Sequence, residues 1–179
     1  MTTTDKGVTY QGKHLTILGH HVGVGDMAPG FRLVEQDLTD ITLGTFSDRP
    51  LVLSVVPSID TSTCALQTRC LTNITKQYGG RVTVLTISLD LPFAQTRWRD
   101  AQGSQEMRFA SDYKYRTFGL GYGVYIEELG LLARAVFVVS ANGHIEHAEY
   151  VSDLSHEPNY QRLNEVLSKT PQAQRSVSA

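Results

Sequence analysis

The run Leu51-Val52-Leu53-Ser54-Val55-Val56 constrains the fold of this chain more than any other stretch. It is apolar and rich in β-branched valine, as expected of a strand buried on both faces. Val82 to Ser88 has the same character. Between them, from roughly Ser62 to Tyr78, residues Leu66, Cys70, Leu71, Ile74 and Tyr78 fall at i, i+4, i+5, i+8 and i+12. That spacing marks one face of a helix, and Gly79-Gly80 ends it. A strand, a helix and a strand in succession predict a parallel βαβ unit.

The flanking sequence extends this unit. Val8 to Leu18 alternates around Gln11-Gly12-Lys13 and reads as a β-hairpin. Gly19 to Gly30 reads as a loop. It contains Gly23-x-Gly25-x-x-Ala28, the spacing of a dinucleotide fingerprint. That fingerprint needs a strand before it and a helix after it. Pro29-Gly30 follows instead, so these are read as turn glycines. Phe31 to Glu35 is a short strand. Asp90-Leu91-Pro92 opens a helix that runs to about Ala101, and Gly103 ends it. Met107 to Ala110 is a strand and Tyr113 to Phe118 a helical turn. Val124 to Ile126 and Ala133 to Val139 are strands. Ala141-Asn142-Gly143 turns the chain into a returning strand, His144 to Val151. Pro158 opens a last helix with Tyr160, Leu163, Val166 and Leu167 on its apolar face. A βαβ succession followed by ββα predicts an α/β, thioredoxin-like fold, with a central mixed sheet, flanking helices and an N-terminal β-hairpin. The expectation is one domain over 1–170, with the hairpin at 8–18, and a polar C-terminal tail at 171–179.

Composition narrows the function. With 16 Lys+Arg against 18 Asp+Glu, the chain lacks the basic footprint of a nucleic-acid binder. No apolar run approaches the roughly 20 residues that span a bilayer. Met-Thr-Thr-Thr-Asp-Lys at the start has no apolar signal core, so a cytoplasmic, reducing setting is expected. Two cysteines, Cys64 and Cys70, are too few for a disulfide framework or a Cys-rich zinc site. His20-His21 and His144-x-x-His147 invite a metal reading. Residues three apart on a strand point to opposite faces, however, so solvated histidines are expected. Neither metal nor cofactor is expected.

Cys64 is the exception to this ordinary composition. The stretch Pro57-Ser58-Ile59-Asp60-Thr61-Ser62-Thr63-Cys64 carries the chain from strand to helix. A cysteine at a helix start faces unpaired backbone N–H groups and the positive end of the dipole. Both favour the thiolate, which is the nucleophile. A buried cysteine is otherwise a small core residue, and a Thr before a helix is otherwise a cap. A Cys-based phosphatase needs five residues between Cys and Arg. Cys64 and Arg69 have four, and no glycine. The Cys-x-x-Cys of a disulfide oxidoreductase is absent.

Pro57-x-x-x-Thr61-x-x-Cys64 resembles the active-site motif of the peroxiredoxins. Four further blocks resemble the thiol peroxidase branch of that family. They are Val55-Val56-Pro57-Ser58-Ile59-Asp60-Thr61, Asp90-Leu91-Pro92-Phe93-Ala94-Gln95, Leu132-Ala133-Arg134-Ala135-Val136 and Glu157-Pro158-Asn159-Tyr160. The resemblance implies that Cys64 attacks hydrogen peroxide or an organic hydroperoxide and becomes a sulfenic acid. It implies that Thr61 orients the peroxide, that Arg134 supplies a cation beside the thiolate, and that Pro57 shields the sulfur. It also implies a homodimer; the apolar and aromatic residues near Gly119 to Val124 are candidates to line either a pocket or a dimer face.

One position departs from the pattern. The branch places a resolving cysteine in the helix that Asp90-Leu91-Pro92 opens, and Arg99 stands there. Cys70 is the other candidate. Six residues along an intact helix mean a rise of about 9 Å and a turn of about 240°. A disulfide needs Cα atoms roughly 4.4–6.8 Å apart, so Cys70 resolves Cys64 only if the helix start unwinds. Cys70 also shares the expected apolar stripe with Leu66 and Ile74. The preferred expectation is a one-cysteine cycle reduced by an external thiol, either a thioredoxin-like protein or a low-molecular-weight thiol. The alternative is a thioredoxin-like redox-sensing or binding module without turnover.

Overall fold

A computed structural model describes residues 7–103 and 105–170. In chain order the elements are β1 (Val8–Tyr10), β2 (Lys13–Leu15), β3 (Ile17–Leu18), β4 (Arg32–Val34), β5 (Asp40–Thr42), a 3-10 turn (Leu43–Phe46), β6 (Leu51–Val55) and α1 (Ser62–Gln77). There follow β7 (Thr83–Ser88), α2 (Pro92–Ala101), β8 (Arg108–Ser111), α3 (Thr117–Gly121), β9 (Tyr125–Ile126), β10 (Leu131–Leu132), β11 (Ala135–Val139), β12 (Ile145–Tyr150) and α4 (Tyr160–Lys169).

The main sheet has seven strands in the order β12-β11-β6-β7-β8-β4-β5. β6, β7 and β8 run parallel, joined through α1 and α2, and the flanking pairs are antiparallel. The mixed sheet and its flanking helices agree with the sequence reading. Alternate residues of β6 feed two apolar layers. Leu51, Leu53 and Val55 join Phe118, Tyr122 and Ile126, whereas Val52 joins Leu71 and Ile74 of α1 and Leu163 and Leu167 of α4.

The hairpin of β1 and β2 turns at Gln11-Gly12, both at positive φ (49° and 75°). β3 leaves that hairpin and pairs with β9, which pairs with β10. The fingerprint-like glycine segment is loop, with the N–H groups of Gly25 and Ala28 donating to the Ile145 and Gly143 carbonyls. Glycine is obligatory at Gly19 and Gly123, where the two loops touch. Both have positive φ, and a Cβ would lie 2.1 Å from Leu120 O and 2.7 Å from His20 C respectively.

Several expectations need correction. β5, β10 and the 3-10 turn are too short for a periodic pattern to reveal them. α3 starts later than Tyr113, because the Asp112 carboxylate accepts from the Phe118 and Gly119 N–H groups and sets the helix start there. Phe118, Tyr122 and Val124 of the Gly119 to Val124 region are wholly buried in the core, Leu120 and Gly121 are partly exposed, and Gly123 lines a cavity. His147 is buried beside Glu149 (3.4 Å) rather than solvated. The proposed tail at 171–179 lies outside the described residues.

The helical stripe of α1 is also phased differently. Leu66 is 44% exposed and Cys70 is half-buried. The buried face instead carries Cys64, Gln67, Thr68, Leu71, Thr72 and Ile74. Half of it is polar, and those groups are satisfied internally. The Thr68 and Thr72 hydroxyls donate to the Cys64 and Thr68 carbonyls at 2.9 and 2.8 Å.

Candidate active site

Three segments converge where β6 ends. The first is the loop from Pro57 into α1. Pro57 is buried, and the loop is held from the side by Asp90, the residue after the β7–Leu89 run. The Ser58 hydroxyl and the Ile59 N–H donate to the two Asp90 carboxylate oxygens at 2.8 and 2.9 Å. Asp90 thus fixes the loop that delivers Cys64. The second segment is α1 itself. Thr61 is its N-cap, in extended conformation, and its hydroxyl oxygen accepts from the Cys64 N–H at 3.3 Å. A cap of this kind is worth about 1 kcal/mol. Cys64 is therefore the third helical residue, with no solvent exposure, packed among Val56, Ile59, Met107 and Phe109 and backed by Ala94 and Trp98 of α2.

The third segment is the approach to β11. Ala135 pairs with Val55, so Arg134 enters one residue before the ladder, beside the end of β6. Its side chain is 1% exposed. Nη2 donates to Cys64 Sγ at 3.4 Å and to the Leu154 carbonyl at 2.9 Å. Nε reaches the same carbonyl at 3.3 Å, and Nη1 donates to Gln67 Oε1 at 2.6 Å. Gln67 in turn donates to the Ser54 hydroxyl at 3.0 Å. Among the described residues, no carboxylate forms an ion pair with Arg134. Its acceptors other than sulfur, the Gln67 amide oxygen and the Leu154 carbonyl, are neutral. A buried guanidinium in that position is compensated best by a negative sulfur.

Cys64, Thr61, Pro57 and Arg134 are thus brought together, and Gln67, Asp90 and the Leu154 carbonyl join them. Gln67 stands three residues after Cys64 on the same helix face, a spacing that was available as a signal. The Leu154 carbonyl is a backbone group and leaves no sequence signal.

Cys70 is not part of this cluster. α1 is unbroken from Ser62 to Gln77, and both cysteines are free. The hydroxyl of Tyr160, at the start of α4, is buried as well. Burial first, and then the Glu157 carboxylate, push that phenol well above its ordinary range. Arg99 pairs with Asp100 at 3.2 Å and lines a cavity with Glu35, Gln36, Asp37 and Thr96. A cavity of about 590 Å³ lies near the hairpin, lined by Val8, Ile17, Ala133, Arg134, Ala148 and Tyr150, so it borders the site at Arg134 although Cys64 does not line it. Among the described residues no group of three or more His, Cys, Asp or Glu side chains is placed to hold a metal ion.

A thioredoxin-like sheet with a capped, arginine-paired cysteine at a helix start defines a cysteine-based redox protein. The comparisons specify which. Residues 23–164 match the model of the Redoxin family. The thiol peroxidase of Halalkalibacterium halodurans is 45% identical over 159 residues, covering 89% of this chain and 95% of that protein. The thiol peroxidase of Bacillus subtilis is 43% identical over 155 residues, covering 87% and 92%. Among solved structures, a peroxiredoxin-like protein from Aquifex aeolicus superposes with a TM-score of 0.84 at 35% identity, covering 94% of this chain and 99% of that one. The chain belongs to the redoxin family, in the thiol peroxidase branch of the peroxiredoxins.

Proposed function

We propose that this thiol-dependent peroxidase reduces hydrogen peroxide and organic hydroperoxides at Cys64 by a one-cysteine cycle. The observation that carries the reading is the Arg134 Nη2 to Cys64 Sγ contact of 3.4 Å at the capped start of α1. The Cys64 thiolate attacks one peroxide oxygen. An S–O bond forms, the O–O bond breaks, and the leaving oxygen departs as water or an alcohol after taking a proton. Charge develops on that leaving oxygen, and fixed donors aimed at it lower the barrier. Arg134 is held by Gln67 and Leu154 before the peroxide arrives, so little reorganisation is needed. Thr61 offers a hydroxyl at the mouth, and buried Pro57 keeps water from the sulfur.

An external thiol then attacks the Cys64 sulfenic acid, releasing water and forming a mixed disulfide, and a second thiol restores Cys64. A thioredoxin-like protein and a low-molecular-weight thiol both satisfy this chemistry. Cys64 has no exposure, so the first turn of α1 has to open for the thiol to enter. The helix is suited to that. Ser62, Thr63, Thr68, Thr72 and Asn73 are all weak helix formers. The same opening is what Cys70 would need to resolve Cys64 itself.

Mapping the products decides between the two. One equivalent of peroxide should give a Cys64 sulfenic acid that dimedone traps and added thiol reduces, with Cys70 unmodified. Cys70→Ser should leave turnover unchanged. A quantitative Cys64–Cys70 disulfide would overturn the one-cysteine cycle. Single-turnover oxidation without recovery by any thiol would favour a sensing module instead.

The chain acts in this reading as one domain over 1–170, in the cytoplasm. No helix of the described residues is long and apolar enough to cross a membrane. A homodimer is supported by Leu91 and Phe93, 50% and 65% exposed at the start of α2. A sedimentation mass of one chain at working concentration would reject it.

A further inference from the structure

We propose that the N-terminal hairpin belongs to the peroxidatic machinery, and that Thr9 is a positioning residue acting on Arg134 through the Leu154 carbonyl. The inference rests on the reading of Cys64 and Arg134 given above. In the β1–β2 register, Tyr10 faces Lys13 across the two-residue turn and Thr9 faces His14. The N–H and C=O of Thr9 therefore point away from β2. They are taken up by the segment after β12. Thr9 N–H donates to the Ser152 carbonyl at 2.8 Å, and the Leu154 N–H donates to the Thr9 carbonyl at 2.9 Å. The Thr9 hydroxyl lies 3.0 Å from both the Ser152 carbonyl and Asp153 Oδ2.

The segment is a tight turn. Asp153 Oδ1 accepts from the Ser155 N–H at 2.8 Å, and the Asp153 carbonyl accepts from the His156 N–H at 3.1 Å. The Leu154 side chain is buried in the core, 6% exposed. The Leu154 carbonyl shares its peptide plane with the Ser155 N–H, which the Asp153 carboxylate holds while accepting from the Thr9 hydroxyl, and in that orientation the carbonyl is aimed at the guanidinium.

Two anchors set the plane of Arg134. Gln67 Oε1 holds Nη1, and the Leu154 carbonyl holds both Nε and Nη2. Nη2 is also the nitrogen on the sulfur. If the Leu154 carbonyl shifts, the guanidinium pivots about the Gln67 contact and Nη2 leaves Cys64 Sγ. Misplacement by about 1 Å at a reacting centre costs on the order of 10²-fold in rate. The hairpin is thus joined to the nucleophile by three successive links: Thr9 to the Ser152–Leu154 turn, Leu154 to Arg134, and Arg134 to Cys64.

Thr9→Pro tests this in the full chain. Proline deletes the N–H bond to Ser152 and the hydroxyl bonds to Ser152 and Asp153, which hold the turn that orients the Leu154 carbonyl, while keeping the Thr9 carbonyl and every rung of the β1–β2 ladder. The measurements are the rate constant for Cys64 oxidation by hydrogen peroxide and the pH profile of Cys64 alkylation by iodoacetamide, with circular dichroism to establish the fold. Folded Thr9→Pro should react about 10- to 100-fold more slowly with peroxide. Its alkylation midpoint should move to higher pH, because the guanidinium no longer favours the thiolate. Thr9→Ser keeps both kinds of bond and should stay within about twofold of the native chain. A folded Thr9→Pro with native rate and native pH profile overturns the inference. If Thr9→Pro does not fold, Thr9→Val decides. It loses only the hydroxyl bonds and should be about threefold slower, and a native rate and pH profile there overturns the inference as well. Arg134→Gln separates the two levels. If it leaves the peroxide rate unchanged, the Arg134 reading itself fails. If it slows the reaction and Thr9→Pro does not, only the role of the hairpin fails.

Discussion

Cys64→Ser is expected to abolish peroxide turnover, with a loss of at least about 10⁴-fold. A serine hydroxyl at this position is not ionised near neutral pH, and the Arg134 guanidinium cannot change that. The substitution is small and keeps the Thr61 cap, whose donor is the backbone N–H of residue 64. The fold should therefore persist, and the loss can be assigned to the missing thiolate. Peroxide consumption with excess dithiol is the measurement. Undiminished consumption by the Ser variant would reject the assignment of the nucleophile outright.

Arg134→Gln should come next in size. Loss of one preorganised donor to a developing oxyanion costs about 10²- to 10³-fold. Here the same side chain also holds the sulfur, so kcat/KM for peroxide should fall by at least that range. Stability should fall as well, because Gln67 Oε1 and the Leu154 carbonyl lose their buried donors, at about 1–3 kcal/mol for each group left unpaired. Arg134→Lys should recover little. An ammonium keeps the charge but is a single point. It cannot span Gln67, Leu154 and Cys64 as the forked guanidinium does. Stopped-flow oxidation of the folded fraction, set beside a urea midpoint, separates the two effects. Native kcat/KM in a folded Arg134→Gln would remove Arg134 from the mechanism.

The long elements of this fold were legible because they are periodic. The largely apolar β6, with Ser54 as its one polar residue, and the capped, glycine-terminated α1 can be read as elements. The phase of α1 could not. Hydrophobic periodicity equates buried with apolar, and this helix buries Gln67, Thr68 and Thr72 while exposing Leu66. The polar face exists because α1 lies over Ser54 and carries Gln67, the residue that holds Arg134. The misreading therefore fell where the site is built. Asp90 stood inside a recognised block, but its clamp on Ser58 and Ile59 joins two loops about 30 residues apart, which no local pattern reports. The same distance effect hid the hairpin's contact with Leu154, since backbone partners carry no side-chain signature.

Trp98 gives the arrangement a practical use. It is the sole tryptophan in the chain. It packs against the cluster that contains Cys64, and its ring meets Phe109 edge-on at 5.7 Å between centroids. When the start of α1 opens to admit a reducing thiol, the cover over this indole is partly stripped away. Emission should change within the dead time of oxidant mixing or shortly after it, and return once dithiol is added. Flat emission through both phases would mean that the helix start stays closed during the cycle. The molecule thus contains its own optical gauge of site opening, readable without a label or an engineered chromophore.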